Sequence, residues 1–184
     1  VMHEVYEPSE DTFLLLDAIP HFSGKHVLEM GCGSGVIAVE LALRGNMVTA
    51  VDINPEAVEA TLRLAAEKGV EICAVTGNLF SAVSGLYDII VFNPPYLPCP
   101  PEEDPAVCGG ERDEVIRAFL KEAGEHLSPG GRIYLLLSSL NDVDCLRNSY
   151  PYRWKILAER RMAFHTLFVY ELSRWSHMGS KRYI

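Results

Sequence analysis

The chain has 184 residues, with 25 acidic against 16 basic side chains and a formal net charge of -9. That length suits one domain, a sheet covered by helices on both faces, and the acidic balance offers no electrostatic footprint for a phosphate backbone. No apolar run is long enough to span a bilayer and no signal-peptide pattern opens the chain, so a cytosolic location is expected.

The elements alternate between short β-type runs and helical patterns, which predicts an α/β fold with a mostly parallel sheet. Residues 1–24 form an opening segment in which Ser9-Glu10-Asp11-Thr12 starts a capped helix that stops by Pro20. The first strand is His26–Met30, followed by a glycine turn and a helix from about Ser34 to Leu43. Strand two runs from Met47 to Val51 and ends at Asp52; a helix follows from Pro55 to Lys68, with Gly69 as its stop. Strand three is Glu71–Val75, and strand four, Tyr87–Phe92, is an apolar run after Asp88 that suits burial on both faces. Asn93–Gly110 is a proline-rich excursion, and loops of that length in compact domains are usually functional. Then come a helix from Glu111 to Leu127, the turn Ser128–Gly131, strand five at Arg132–Leu137 and a helix over Asn141–Asn148. Trp154–Arg160 and Thr166–Leu172 make an antiparallel pair at one sheet edge, and residues 175–184 read as a polar tail to a single domain. The five cysteines, Cys32, Cys73, Cys99, Cys108 and Cys145, are odd in number and contain no Cys-x-x-Cys pair. They read as free thiols, with neither a metal site nor a disulfide framework.

Two places carry chemistry. Glu29-Met30-Gly31-Cys32-Gly33-Ser34-Gly35 sits where strand one meets its helix, and glycines there let backbone approach a ligand. A dinucleotide turn would place its third glycine one position later, where this chain has Val36. Glu29 would also repel a pyrophosphate but accept hydrogen bonds from a cationic amino-acid moiety. That favours S-adenosylmethionine over a nicotinamide cofactor, with Asp52 placed to take ribose hydroxyls. Asn78, in Gly77-Asn78-Leu79-Phe80, is either an adenine contact or a plain turn residue.

The second place is Asn93-Pro94-Pro95-Tyr96, directly after strand four. The Asn93 side-chain oxygen and the Pro94 carbonyl can each accept one N–H of a planar NH2 group, holding its nitrogen for attack on a methyl donor. Pro94 and Pro95 stiffen the backbone, and Tyr96 offers a flat face for the substrate.

The chain resembles the HemK-type protein-glutamine N5-methyltransferases, in the short eukaryotic and archaeal branch that modifies class I peptide-release factors. The resemblance rests on Val5–Leu16, Glu29–Gly35, Asp52–Asn54, Asn93–Tyr96 and Cys108–Gly110. It implies a Rossmann-like class I methyltransferase fold with a seven-stranded sheet. It implies that Tyr6, Pro8, Thr12, Glu29, Gly31, Gly33, Asp52, Ile53, Asn78, Leu79 and Asn93 line the cofactor pocket. Asn93, Pro94, Pro95 and Tyr96 would bind the substrate glutamine, with Asn93, Pro94 and Tyr96 as the catalytic set. Asn78 departs from the family's usual aspartate. A small zinc-binding activator subunit is also implied, and Ile72–Val75 would be its docking edge if strand three ends the sheet. The bacterial members' extra recognition domain has no room here, so recognition would fall to loops or a partner. Asn-Pro-Pro-Tyr is shared with nucleic-acid base N-methyltransferases, so a base nitrogen, or a lysine, is the alternative acceptor.

Overall fold

The computed structural model describes residues 5–100, 106–110 and 112–175. The tail beyond Trp175 and Glu111, the expected start of a helix, lie outside the described residues. Seven strands form one sheet in the order β3-β2-β1-β4-β5-β7-β6. They are β1 (His26–Met30), β2 (Met47–Asp52), β3 (Ile72–Thr76), β4 (Tyr87–Phe92), β5 (Leu127–Ser138), β6 (Tyr152–Arg161) and β7 (Thr166–Arg174). The first five pair in parallel, and β7 runs antiparallel to both β5 and β6. The expected hairpin is therefore present and closes one edge, while β3 forms the other.

Strand geometry sends alternate side chains to opposite faces, and β4 shows the consequence. Ile90 and Phe92 join one core and Ile89 and Val91 the other, all of them buried. Helices α1 (Glu10–Ala18) and α2 (Val36–Leu43) supply the second core, and α3 (Pro55–Lys68) packs beside α2 and β3. On the opposite face lie α4 (Glu114–Ala123) and α5 (Val143–Ser149), around Phe119, whose ring meets Phe92 at 4.7 Å and Phe80 at 5.5 Å between centroids. The C-terminal hairpin clasps the end of α4. Tyr152 Oη donates to the Leu120 carbonyl at 2.9 Å, and Arg174 Nη2 to the Leu127 carbonyl at 2.7 Å, satisfying groups that a helix end and a turn leave open. No helix among the described residues is long and apolar enough to cross a membrane.

Three expectations need correction. The helix after the long loop begins at Glu114, because Asp113 takes the left-handed conformation (φ 59) and spends its carboxylate on neighbouring groups; it ends at Ala123 in a short 3-10 turn. Ser128–Gly131 is absorbed into β5 as an irregularity in its register with β4. Cys99 and Cys108 are joined in a disulfide, leaving Cys32, Cys73 and Cys145 as the free thiols. The loop doubles back, with Leu97 N–H donating to the Val107 carbonyl and Gly109 N–H to that of Leu97, both at 2.9 Å. Only that reversal brings the two sulfurs together, and spacing along the chain does not show it.

Phe119 is fully buried at the centre of one core, so Phe119→Ala is expected to cost about 3–5 kcal/mol of unfolding free energy, measured by chemical denaturation. A loss under about 1 kcal/mol would mean that the site collapses around the smaller side chain.

Candidate active site

The order of strands reverses between β1 and β4: β2 and β3 lie on one side, β5 and the hairpin on the other. Open α/β sheets form their crevice at the carboxyl ends of such a pair. A cavity of ≈ 800 Å³ lies there, lined by the turn after β1, the ends of β2 and β4, the loop after β3, part of α1 and the loop after β4.

The turn after β1 is built by glycines with positive φ. Gly35 (φ 82) precedes α2, and a Cβ on it would come within 2.7 Å of Thr61 Cα; the third glycine therefore serves close packing of α2 on α3. Gly31 (φ 66) lies against the Phe92 ring, 3.3 Å from where its Cβ would stand, so the turn after β1 touches the end of β4. Gly33 N–H donates to Asp52 Oδ2 and Asn54 N–H to Oδ1, both at 2.9 Å, and the carboxylate thereby ties this turn to the end of β2. Burial raises the Asp52 carboxyl above its ordinary range against the pull of those backbone hydrogen bonds.

Glu29 is 3% exposed, and its Oε2 is buried without a hydrogen-bond partner. Burial holds the carboxyl well above the usual range; a backbone hydrogen bond from Ala38, in the first turn of α2, works against that, and the nearby Asp52 charge adds to it. A buried carboxylate with an open acceptor site facing a cavity suits a cation that carries N–H donors. The residues therefore fit S-adenosylmethionine: Glu29 would take its ammonium group, Asp52 its ribose hydroxyls, and Asn78 and Leu79 would stand at its base. Leu79 is held at φ 48, a strained conformation for a side chain of its size, where the loop after β3 meets the cavity.

On the other side of β1, Asn93 closes β4. Its Nδ2 donates to Asp11 Oδ2 at 3.2 Å, while its Oδ1 is buried with no partner. Asp11, 2% exposed, also accepts from Ser9 Oγ and Thr12 N on Oδ1 and from Tyr6 Oη on Oδ2, each at 2.7 Å, and from Tyr96 Oη at 3.4 Å. Burial opposes its charge, but the hydrogen bonds from Ser9, Tyr6, Asn93 and Thr12 outweigh that and hold the carboxyl below its ordinary range. The Tyr96 phenol, half-buried and facing this carboxylate, is pushed up to about 12 and stays protonated. Behind the motif, Asn141 Nδ2 donates to the Tyr96 carbonyl at 3.0 Å and to Asp113 Oδ1 at 2.8 Å, and Asp142 N–H donates to Asp113 Oδ2 at 3.0 Å.

The structure brings Tyr6, Thr12, Glu29, Gly31, Gly33 and Asp52 to one cavity with Ile53, Asn78, Leu79, Asn93, Pro94, Pro95 and Tyr96. Pro8 is the exception: it leads into α1 and does not line the cavity. Asp11, Asp113 and Asn141 were not expected at the site. Asp11 stands in the opening motif and reads there as a first-turn helix residue; nothing local announces the other two.

Glu29→Gln separates two effects. A carboxyl raised in the fold stabilises it below the ordinary carboxyl range, and that contribution is lost as pH rises through the folded value. The ligand-free wild type should therefore lose thermal stability relative to Glu29→Gln as pH rises from acid to neutral. The same variant should bind S-adenosylmethionine about tenfold or more weakly by calorimetry, having lost a charged acceptor. Unchanged affinity would remove Glu29 from the cofactor site.

Comparison with known proteins agrees with this geometry. A model of the methyltransferase small domain family matches residues 7–150. The chain is 36% identical over 177 residues to a Methanocaldococcus jannaschii protein that bears the name of a protein N5-glutamine methyltransferase, covering 90% of each. It is 39% identical over 158 residues to mouse methyltransferase HEMK2, covering 76% of this chain and 74% of that protein. Among solved structures, Mtq2 of E. cuniculi in complex with Trm112, described as responsible for methylation of the translation termination factor eRF1, superposes with a TM-score of 0.75. That match has 29% identity and covers 92% of this chain and 98% of the other. The chain belongs to the methyltransferase small domain family and, within it, to the HemK-type protein N5-glutamine methyltransferases, S-adenosylmethionine-dependent enzymes of Rossmann-like class I fold.

Proposed function

We propose that this enzyme methylates the side-chain amide nitrogen of the glutamine in the Gly-Gly-Gln motif of a class I peptide-release factor. The observation that carries the reading is the buried, unpartnered Oδ1 of Asn93 at the cavity wall, an acceptor suited to an incoming NH2 group. The relative from E. cuniculi acts on such a factor, eRF1.

S-adenosylmethionine supplies a methyl group on a sulfonium, which leaves as a neutral thioether. The chain's part is to bind and align. Asn93 Oδ1 and the Pro94 carbonyl would each accept one N–H of the glutamine amide, turning its nitrogen toward the donor and drawing electron density onto it as the bond forms. Tyr96 and the paired prolines wall the cavity on that side, where a planar amide can lie flat. The proton lost from nitrogen after transfer passes to solvent water, because an amide oxygen and a backbone carbonyl accept hydrogen bonds but are too weakly basic to keep it.

We further read β3 as the seat of a small zinc-binding activator subunit. It is a sheet edge paired on one side only, and Ile72–Thr76 carries no charged residue to discourage another strand. We also read the enzyme as cytosolic, which a translation factor as substrate supports.

The test is transfer of labelled methyl to a purified release factor, with and without the activator, beside a Gly-Gly-Ala factor and a DNA duplex. Label on the intact factor that vanishes with the alanine form is the expected result. Label on DNA alone would make a base nitrogen the acceptor. Asn93→Ala should retain cofactor binding and lower turnover about 100-fold or more, and near-normal turnover would show that Asn93 does not hold the amide.

A further inference from the structure

An asparagine amide has two chemically opposite ends in nearly the same shape, and only one of them can serve a substrate NH2. With Oδ1 toward the cavity, Asn93 accepts; turned over, it would set donor against donor. The choice rests with whatever meets its other end. That partner is Asp11, on α1, eighty-two positions away in sequence and 3.2 Å from Nδ2. An ionised carboxylate accepts and cannot donate, so it admits only the Nδ2 end.

Asp11 is itself held so that it cannot turn away. Oδ1 takes the Ser9 hydroxyl and the Thr12 amide, which is its service to the start of α1. Oδ2 faces Tyr6, Asn93 and Tyr96, and all three line the cavity. Capping a helix needs only the first oxygen; the second has no helical partner. We infer that Asp11 is a positioning residue for methyl transfer, locking the Asn93 amide with Oδ1 toward the substrate nitrogen and polarising it as a charged acceptor on Nδ2–H. This rests on the proposed function for the identity of the substrate, but not for the orientation of Asn93.

The experiment pairs Asp11→Asn, isosteric and uncharged, with Ser9→Ala, which removes the cap contact to Oδ1 and a hydrogen bond to Tyr6 Oη but no direct contact to Oδ2. Asp11→Asn should lower kcat roughly 10- to 100-fold, with KM for the release factor and Kd for S-adenosylmethionine within about twofold. Ser9→Ala should keep kcat within about threefold. In an Asn93→Ala background, Asp11→Asn should change kcat less than about twofold, since the group it positions is gone. Additive losses, or an equal loss in Ser9→Ala, would reduce Asp11 to a helix cap and overturn the inference. A substrate-free arm follows the Asn93 Nδ2 protons by nitrogen-15 NMR. They should exchange slowly in the wild type, and shift and exchange faster in Asp11→Asn. Unchanged Asn93 signals would overturn the inference whatever the substrate proves to be, whereas a wild type that leaves the release factor unlabelled counts against the substrate alone.

Discussion

The site depends on the parallel pairing of β1 with β4. Their register sets Leu28 beside Ile90 and Met30 beside Phe92, so both strands end at the same level. The turn that begins at Gly31 and the motif that begins at Asn93 then leave the sheet side by side, and the missing side chain at Gly31 lets the Phe92 ring lie against it. Strand order turns the two halves apart from that line. One half carries Asp52, Asn78 and Leu79 to the cavity, and the other carries Asn93–Tyr96. The cavity thus lies across the seam where the two halves meet.

Glu29, Asp52 and Asp11 line this cavity together with the exposed Glu56, and the surroundings of the first three give them different characters. Glu29 is buried with an acceptor site open, and burial disfavours its charge. Asp52 is also raised by burial, yet its oxygens are engaged by backbone N–H groups that keep the glycine turn in place. Asp11 is as little exposed as Glu29 but sits among donors, and remains charged. Burial alone does not decide the charge; the supply of hydrogen-bond donors does. Glu29 is left short of donors with one oxygen open, and Asp11 is saturated with them.

The long loop after β4 is pinned at several points by polar contacts. Asn141, itself held by the Asp113 carboxylate, donates to the Tyr96 carbonyl from behind, the Asp11 carboxylate holds the Tyr96 hydroxyl, and the Cys99–Cys108 bridge closes the loop on itself. A segment rich in proline forms few backbone hydrogen bonds of its own. These contacts from α1, α4 and the start of α5 take their place, which is why residues far apart in sequence converge on one short motif.

Much of this was legible in the amino-acid sequence by itself. Strand and helix positions follow from apolar periodicity and from local signals, Pro55 at a helix start and Pro20 and Gly69 at helix ends, and His26–Met30, Tyr87–Phe92 and Pro55–Lys68 match the observed elements. The turn around Gly31–Gly35, Asp52 at a strand end and Asn93–Tyr96 after another are contiguous patterns whose chemistry is carried by residues next to one another. The tertiary structure alone decided the rest. Asp11 reads locally as a first-turn helix residue, and only the packing of α1 beside the end of β4 turns its second oxygen to Asn93. The pairing of Cys99 with Cys108, the left-handed Asp113 and the hold of Asn141 on the Tyr96 carbonyl are likewise long-range or loop-geometry facts. Sequence periodicity reports which face of an element is buried; it does not report which distant polar group will stand opposite, because that is settled when the layers close on one another.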